Sequence, residues 1–189
     1  MALKVVGGAT LTEYVGDGGA GAYRESLNIN ERLRLFVRIC DAINYAHLRS
    51  VIHRDLKPSN ILVTEESSAG GSGSAVRIGA DVKVLDFGLA RITDADVAVT
   101  TITTDAGKIK VTLAYMSPEQ ARGDPDEIDV RSDVYSLGVV LYELLIDKLP
   151  LDLKHRPVAD AVGALRDDPV PRPSSFKRAL RGDLDTIAL

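Results

Sequence analysis

Four polar residues in two short segments have the types and the spacing that phosphoryl transfer requires. Asp55, Lys57 and Asn60 lie in one run, where an apolar helical pattern gives way to an apolar strand pattern. Asp86 lies further along the chain, directly after a second apolar strand pattern. A proton acceptor, a cation and two hard oxygen ligands are the groups that this chemistry uses. The two segments therefore predict a site at which a phosphoryl group is transferred.

Each of the four residues has a distinct predicted role. Asp55 is the candidate base that takes the proton of an attacking hydroxyl, a contribution of about 10²–10⁴ in rate. Lys57 carries a positive charge that neutralises the equatorial oxygens of the transferring group. Asn60 and Asp86 offer the oxygen ligands that Mg²⁺ prefers when it bridges nucleotide phosphates. Any one of these residues alone is more often a surface charge or a turn residue, so the prediction depends on their joint spacing.

Periodic patterns on both sides of the first run predict the elements that position it. Asn28 and Glu31 have the spacing of a capping box and open a helix that we expect to end at about Leu48. Residues 61–63 and 82–85 predict two short strands of a hairpin. The run that carries the candidate base therefore lies between a helix and a strand.

Further patterns predict the surrounding framework. Residues 132–145 are apolar on nearly every side, which predicts a helix at the centre of the core. Another helix follows, with Val158, Val162 and Leu165 on one face. Residues 1–15 are strand-like, which makes them a short extended segment ahead of the first helix.

Two segments lack the periodicity of helices and strands. Residues 65–81 are rich in glycine and serine, and a hairpin needs only about two to five loop residues, so we expect a flexible surface insertion there. Residues 89–116 are rich in threonine and predict a mobile segment.

The composition bounds the class of protein. The chain has 189 residues, a net charge of -4 and one cysteine, which predicts a single globular domain without an internal disulfide. The acidic balance argues against nucleic acid as the main partner. No stretch has the roughly 18 apolar residues of a membrane helix, and the beginning of the chain lacks the pattern of a signal peptide. We therefore expect a cytoplasmic protein.

The two segments resemble the catalytic loop and the metal-binding loop of protein kinases. The first reads H-R-D-L-K-P-S-N over residues 53–60, and the second reads D-F-G over residues 86–88. From about Thr12 to Leu189 the chain is similar to the eukaryotic-like serine/threonine protein kinases of bacteria. The resemblance implies ATP and Mg²⁺ as cofactors and serine or threonine residues of proteins as acceptors.

The resemblance also implies an α+β, protein-kinase-like fold. We expect a mostly helical C-lobe with a short catalytic β-hairpin and an N-lobe that is largely missing. Residues 1–15 would be the N-lobe remnant and the hinge, and residues 16–189 the C-lobe, truncated at its C-terminus. Two observations lead to this expectation: no G-x-G-x-x-G precedes the hinge, and the arginine that normally pairs with Glu119 would lie beyond Leu189.

The resemblance implies a nucleotide site at the beginning of the chain. Thr12 would be the gatekeeper, and the backbones of Glu13 and Val15 would bind adenine. Leu62 would pack beneath the adenine ring. Lys4 resembles the strand lysine that contacts the inner phosphates, although the segment between Lys4 and Glu13 is too short for the helix that usually follows it.

Other implied roles are structural or regulatory. His53 would pack near Phe87, and Arg54 would pair with a phosphorylated activation loop. Asp133 would anchor the backbone of the catalytic loop from the central helix. The candidate phosphorylation sites are four threonines: Thr100, Thr101, Thr103 and Thr104.

Residues 111–119 resemble the substrate-binding loop of the same kinases. Thr112 corresponds to the threonine that contacts the catalytic aspartate and lysine in serine/threonine-specific enzymes. Val111 departs from the pattern, because the family has glycine there.

Three interpretations remain open. The first is a serine/threonine kinase domain that is incomplete and inactive as the 189-residue chain. The second is a catalytically dead kinase-like module that binds partners, against which the intact Asp55, Lys57, Asn60 and Asp86 speak. The third is a small-molecule phosphotransferase of the antibiotic-kinase type, which the Ser117-Pro118-Glu119 segment disfavours.

Overall fold

The structure is a computed structural model, and its described residues form several stretches of the chain. These stretches are residues 8–15, 27–64, 81–87, 112–123 and 125–188. Lys4, the insertion before Asp81, the candidate phosphothreonines and Val111 lie outside them. The chain divides into two compact units, the first comprising Met1–Arg49 and Pro58–Leu85, the second Ser50–Lys57 and Asp86–Leu189.

A three-stranded antiparallel sheet organises the first unit. Its strands are β1 (Ala9–Thr10), β2 (Ile61–Thr64) and β3 (Asp81–Val84), in the order β1-β2-β3. Ile61 pairs with Val84 and Thr64 with Asp81, so the predicted hairpin is confirmed. The apolar side chains of Ile61 and Val63 are buried, which fixes the register because a slip by one residue would turn them outward.

A glycine allows β1 to approach β2 closely. A Cβ atom on Gly8 would lie 2.5 Å from Cγ2 of Thr64 and 3.0 Å from the carbonyl oxygen of Val63. Because such distances are far below van der Waals contact, any larger residue at this position would push the two strands apart.

The short helix α1 (Leu11–Val15) corrects one prediction. Residues 11–15 were expected to be strand-like, and they are helical. The reason is local: the Glu13 carboxylate accepts hydrogen bonds from the Thr10 N–H at 2.8 Å and from its hydroxyl at 2.9 Å. The Glu13 N–H donates to Thr10 Oγ1 at 3.3 Å. This reciprocal capping box closes a helical turn, and its T-x-x-E signature was present in the sequence.

Helix α2 (Ile29–His47) has the start that the sequence predicts. The Glu31 N–H donates to Asn28 Oδ1 at 3.1 Å, and the Asn28 N–H donates to Glu31 Oε2 at 2.7 Å. Leu35, Ile39 and Ile43 are buried, and the helix packs against β3. The predicted capping box and helix are therefore confirmed.

Helix α4 (Val130–Ile146) is the central helix of the second unit, as its apolar pattern predicts. It begins two residues earlier than expected, because Asp129 caps it by accepting the Arg131 N–H at 2.8 Å. At its other end Lys177 donates to the carbonyl of Leu145 at 2.7 Å. Most of its residues are buried, including Asp133.

Shorter helices surround α4. They are α3 (Pro118–Arg122), α5 (Val158–Asp167), α6 (Pro173–Phe176) and α7 (Asp183–Ile187), with 3₁₀ turns at Pro125–Glu127 and Arg178–Leu180. Helix α5 buries Ala161, Ala164 and Leu165, whereas Val158 is 38% exposed. The face predicted for it is therefore wrong in part, because the pattern of large apolar residues left out the two buried alanines. No helix within the described stretches is long and apolar enough to cross a membrane.

Candidate active site

The backbone of the catalytic loop is held by a carboxylate from the central helix of the same unit. The His53 N–H donates to Asp133 Oδ2 at 2.8 Å, and the Arg54 N–H donates to Oδ1 at 2.9 Å. Asp133 is 1% exposed, so water cannot replace it as the acceptor for these two donors. It lies in the first turn of α4, where the helix dipole favours negative charge. These two hydrogen bonds are the kind of contact that the family resemblance implies for Asp133, and its anchoring role stays a prediction.

Asp55, Lys57 and Thr112 meet at one point. Lys57 Nζ lies 3.0 Å from Asp55 Oδ1, 2.9 Å from Oδ2 and 3.2 Å from Thr112 Oγ1. The Asp55 side chain is 44% exposed and that of Lys57 18% exposed, so the carboxylate is open to solvent while the ammonium is largely sheltered. The predicted contact of Thr112 with this pair is present across 55 residues of sequence.

The imidazole ring of His53 packs against the ring of Phe87. Its ring centroid lies 4.8 Å from that of Phe87, with the ring planes tilted by 58°. The residue is 1% exposed, and its Nδ1 accepts the Asp55 N–H at 3.3 Å. The ring therefore supports Phe87 on one side and the catalytic loop on the other.

The two candidate metal ligands, Asn60 and Asp86, belong to different units. In the first unit, Asn60 ends the 3₁₀ turn Pro58–Asn60, is buried, and accepts the Leu85 N–H on its backbone carbonyl at 2.8 Å. In the second unit, Asp86 is exposed and has a φ of 57°. A left-handed backbone of this kind is uncommon outside glycine and recurs at functional sites. The described residues contain no group of three or more His, Cys, Asp or Glu that could hold a metal ion.

The residues predicted to contact adenine lie in the first unit. Val15 ends helix α1, and Leu62 is a half-buried residue of β2. The backbone N–H of Thr10, and to a smaller extent its hydroxyl, donate hydrogen bonds that hold the pKa of the Glu13 carboxyl below its ordinary value. The Glu13 N–H would have to break its hydrogen bond to Thr10 Oγ1 before it could donate to adenine. Adenine binding by Glu13 and Val15 therefore stays a prediction.

Glu119 contacts the central helix. Its Oε1 accepts the Ser132 hydroxyl at 2.6 Å. Burial raises the pKa of Glu119, but the hydrogen bond from Ser132, together with weaker bonds and the charge of Arg122, leaves the pKa below its ordinary value. The carboxylate is therefore ionised at neutral pH.

Sequence reasoning missed three residues of this region. Tyr115 donates its hydroxyl to Glu143 Oε2 at 2.6 Å, and burial, then the charge of Glu143, raises the pKa of Tyr115. Gln120 donates from Nε2 to the carbonyl oxygen of Arg54 at 2.7 Å. The S-x-x-Q spacing of a capping box could have drawn attention to Gln120, but nothing in the sequence pairs it with a residue 66 positions away.

A profile of the protein kinase domain matches residues 1–178. Because this match covers most of the chain, the chain belongs to the protein kinase domain family, and the predicted α+β, protein-kinase-like fold is confirmed.

Bacterial relatives are similar along the entire chain. The protein named serine/threonine-protein kinase PknB from Mycobacterium leprae is 36% identical over 189 residues, and its namesake from Mycobacterium tuberculosis is 37% identical over 190 residues. In both comparisons the alignment covers 100% of this chain and 26% of the relative. The probable PknB of Corynebacterium glutamicum is 37% identical over 93% of this chain and 23% of its own length. The chain thus spans about a quarter of the length of the curated relatives that it matches.

Proposed function

We propose that this protein transfers the terminal phosphoryl group of ATP to serine or threonine residues of protein substrates. The observation that carries the proposal is the contact of Lys57 Nζ with both Asp55 and Thr112 at 2.9–3.2 Å. Asp55 would accept the proton of the incoming hydroxyl, and Lys57 would stay on the transferring phosphoryl group. Thr112 would orient both side chains against the acceptor.

ATP and Mg²⁺ are part of the same proposal. Mg²⁺ usually takes one or two carboxylate or amide oxygens from the protein and completes its shell with phosphate oxygens and water. Asn60 and Asp86 match that demand in type and motif position, and the bound ion would neutralise charge on the nucleotide phosphates. Leu62 and the backbones of Glu13 and Val15 would receive the adenine, and Lys4 would contact the inner phosphates.

A protein substrate is inferred from two sources. The names of the relatives describe serine/threonine-protein kinases. Thr112 and Lys57 are the residues that resemble those of serine/threonine-specific enzymes. Because the cytoplasm supplies ATP, we infer that the domain acts there, and nucleic acid is not part of the proposal.

Two substitutions separate the assigned roles in the product of the complete gene. Asp55→Asn removes the proton acceptor and keeps the shape of the site, so phosphotransfer should fall by about 10²-fold or more while nucleotide affinity is retained. Asp86→Asn replaces a charged oxygen ligand by a neutral one and should weaken the binding of Mg²⁺–ATP itself. Radiolabelled phosphate transfer and nucleotide titration measure the two effects. Equal loss of nucleotide affinity in both variants contradicts the roles, and absence of transfer by the unaltered protein favours the interaction module.

We further propose that the 189-residue chain alone transfers no measurable phosphate. No glycine-rich loop precedes Glu13, so the ATP phosphates would be held from one side, and misplacement of reacting groups by about 1 Å already costs about a hundredfold. The test compares this chain with its Asp55→Asn variant on a general protein substrate. Transfer clearly above that of the variant contradicts the proposal.

A further inference from the structure

The peptide bond that joins Arg54 to Asp55 is held at both of its polar groups by side chains. Its carbonyl oxygen accepts Gln120 Nε2 at 2.7 Å. Its N–H donates to His53 Nδ1 at 3.3 Å. Arg54 has a φ of 68°, a left-handed conformation that costs a non-glycine residue about 1–2 kcal/mol, so this peptide needs external support to keep its orientation.

The far side of the Gln120 amide is also occupied. Its Oε1 accepts the Ser117 N–H and the Ser117 hydroxyl, each at 3.1 Å. Gln120 is 9% exposed and lies in the first turn of α3, whose cap is formed with Ser117. The site therefore needs an acceptor toward Ser117 and a donor toward Arg54. A carboxamide supplies both, whereas a carboxylate of the same shape supplies acceptors alone.

Gln120 also belongs to the segment that carries Thr112. That segment thus contacts the catalytic loop directly before Asp55, through Arg54, and two positions after it, through Lys57. With both flanks attached, the direction of the Asp55 side chain depends on the position of residues 112–120.

We propose that Gln120 is a positioning residue for Asp55, which it aims by fixing the orientation of the Arg54–Asp55 peptide. This inference rests on the proposed phosphotransfer function and deepens it, because it ties the base to the segment that faces the protein substrate. Rotation of this peptide would swing Asp55 away from the acceptor hydroxyl without touching the nucleotide.

The sharpest variant is Gln120→Glu, made in the product of the complete gene. It keeps the acceptor side of the capping box with Ser117, since glutamate is a preferred residue at this cap position, but it places an oxygen against the carbonyl of Arg54. The matched control is Arg122→Gln on the same helix, whose side chain is exposed and pairs with Glu127. Both variants change one charge on α3, and of the two only Gln120 contacts the catalytic loop.

We expect Gln120→Glu to lower kcat about ten- to a hundredfold, the cost of misplacing a reacting group by up to about 1 Å. The KM for ATP should stay within about twofold, because the nucleotide contacts are elsewhere. Arg122→Gln should keep the kcat of the unaltered protein. A kcat for Gln120→Glu equal to that of the control overturns the inference, and so does a loss confined to the KM for ATP.

A second measurement does not depend on activity. Amide hydrogen exchange of residues 53–57 should be faster in Gln120→Glu than in Arg122→Gln, with unchanged exchange in α4. If Gln120→Glu does not fold, Gln120→Met removes the donor without burying a charge, and the same exchange comparison applies. Unchanged exchange in residues 53–57 overturns the inference. Absence of transfer in the unaltered protein, combined with faster exchange in the variant, contradicts the proposed function and leaves the positioning contact supported.

Discussion

The catalytic loop of the second unit and the sheet of the first unit are stabilised in opposite ways. In the sheet, β2 and β3 pair through their own backbones, and the caps at Thr10 and Asn28 join residues three positions apart. The catalytic loop has no such ladder. Its backbone groups are bound by side chains from far along the sequence, Asp133 at 80 positions and Gln120 at 66.

This difference indicates which parts of a fold can hold a reactive side chain in a defined direction. A backbone ladder satisfies its polar groups with neighbours and leaves little freedom to aim a side chain. A loop held by distant side chains can adopt strained conformations, such as the left-handed Arg54, because several elements determine it together. Such a loop keeps its conformation only when every side chain that binds its backbone is present. We therefore expect substitution of Asp133 or Gln120 to lower activity more than substitution of a helix-capping residue.

The largest effect is expected for Asp133→Asn. One carboxylate oxygen becomes an NH₂ group that faces a buried N–H donor, so the free energy of unfolding should fall by about 3 kcal/mol. Displacement of the loop should lower phosphotransfer by about a hundredfold or more. Thermal unfolding and phosphate transfer are the measurements. Asp129→Asn makes the same chemical change at the cap of the same helix and should be nearly neutral, because asparagine caps as well as aspartate. Equal effects of the two substitutions would contradict the expectation that a side chain binding the catalytic loop matters more than a helix cap.

A medium effect is expected for Asn28→Ala in the first unit. The variant loses the cap of α2, which should lower the free energy of unfolding by about 1 kcal/mol. Because this cap is local, kcat should stay unchanged in the transfer assay. Asn28→Ser is the control, since serine is an equally good cap. A loss of kcat in Asn28→Ala with full stability would contradict the expectation that this cap acts only locally.

A smaller effect is expected when residues 65–80 are replaced by a two-residue turn. Thr64 and Asp81 are direct cross-strand partners, so a turn of that length can join them. Loop-closure cost changes by about 0.6 kcal/mol per doubling of length, so Tm should shift by a few degrees at most. Calorimetry of the shortened and the unaltered chain measures the shift. A drop in Tm well beyond that range would mean that the insertion contributes contacts to the fold.

The smallest effect concerns acid stability. A hydrogen bond from Ser174, which opposes the effect of burial, holds the pKa of Asp185 below the ordinary value of 3.8. The folded state therefore favours the ionised form, so the stability from this group is present above about pH 4 and is lost as the pH falls through the folded pKa. Asp185→Asn should flatten the decline of Tm between about pH 5 and pH 3. Glu13→Gln, at the exposed cap of α1, should flatten the decline of Tm less than Asp185→Asn does. A larger effect of Glu13→Gln would contradict the greater contribution expected of the buried Asp185.

The sequence was sufficient wherever the interaction is local. The cap of α2, the hairpin of β2 and β3 and the apolar helix α4 depend on neighbouring residues or on periodicity. One local signal was misjudged: residues 11–15 were expected to be extended, and the capping box of Thr10 and Glu13 makes them helical. The face of α5 was misjudged for a different reason, since burial of Ala161 and Ala164 depends on what packs against them.

For the site, the sequence motifs indicated the candidate reacting residues but not the orientation of the loop that carries them. Sequence alone was enough to group Asp55 with Lys57, because only Leu56 separates them, and to assign the family through the match over residues 1–178. The tertiary structure alone decided that Gln120 binds the carbonyl of Arg54 and that Tyr115 binds Glu143. The reason is physical: contacts between residues tens of positions apart depend on how helices pack, and no local propensity or spacing encodes that packing.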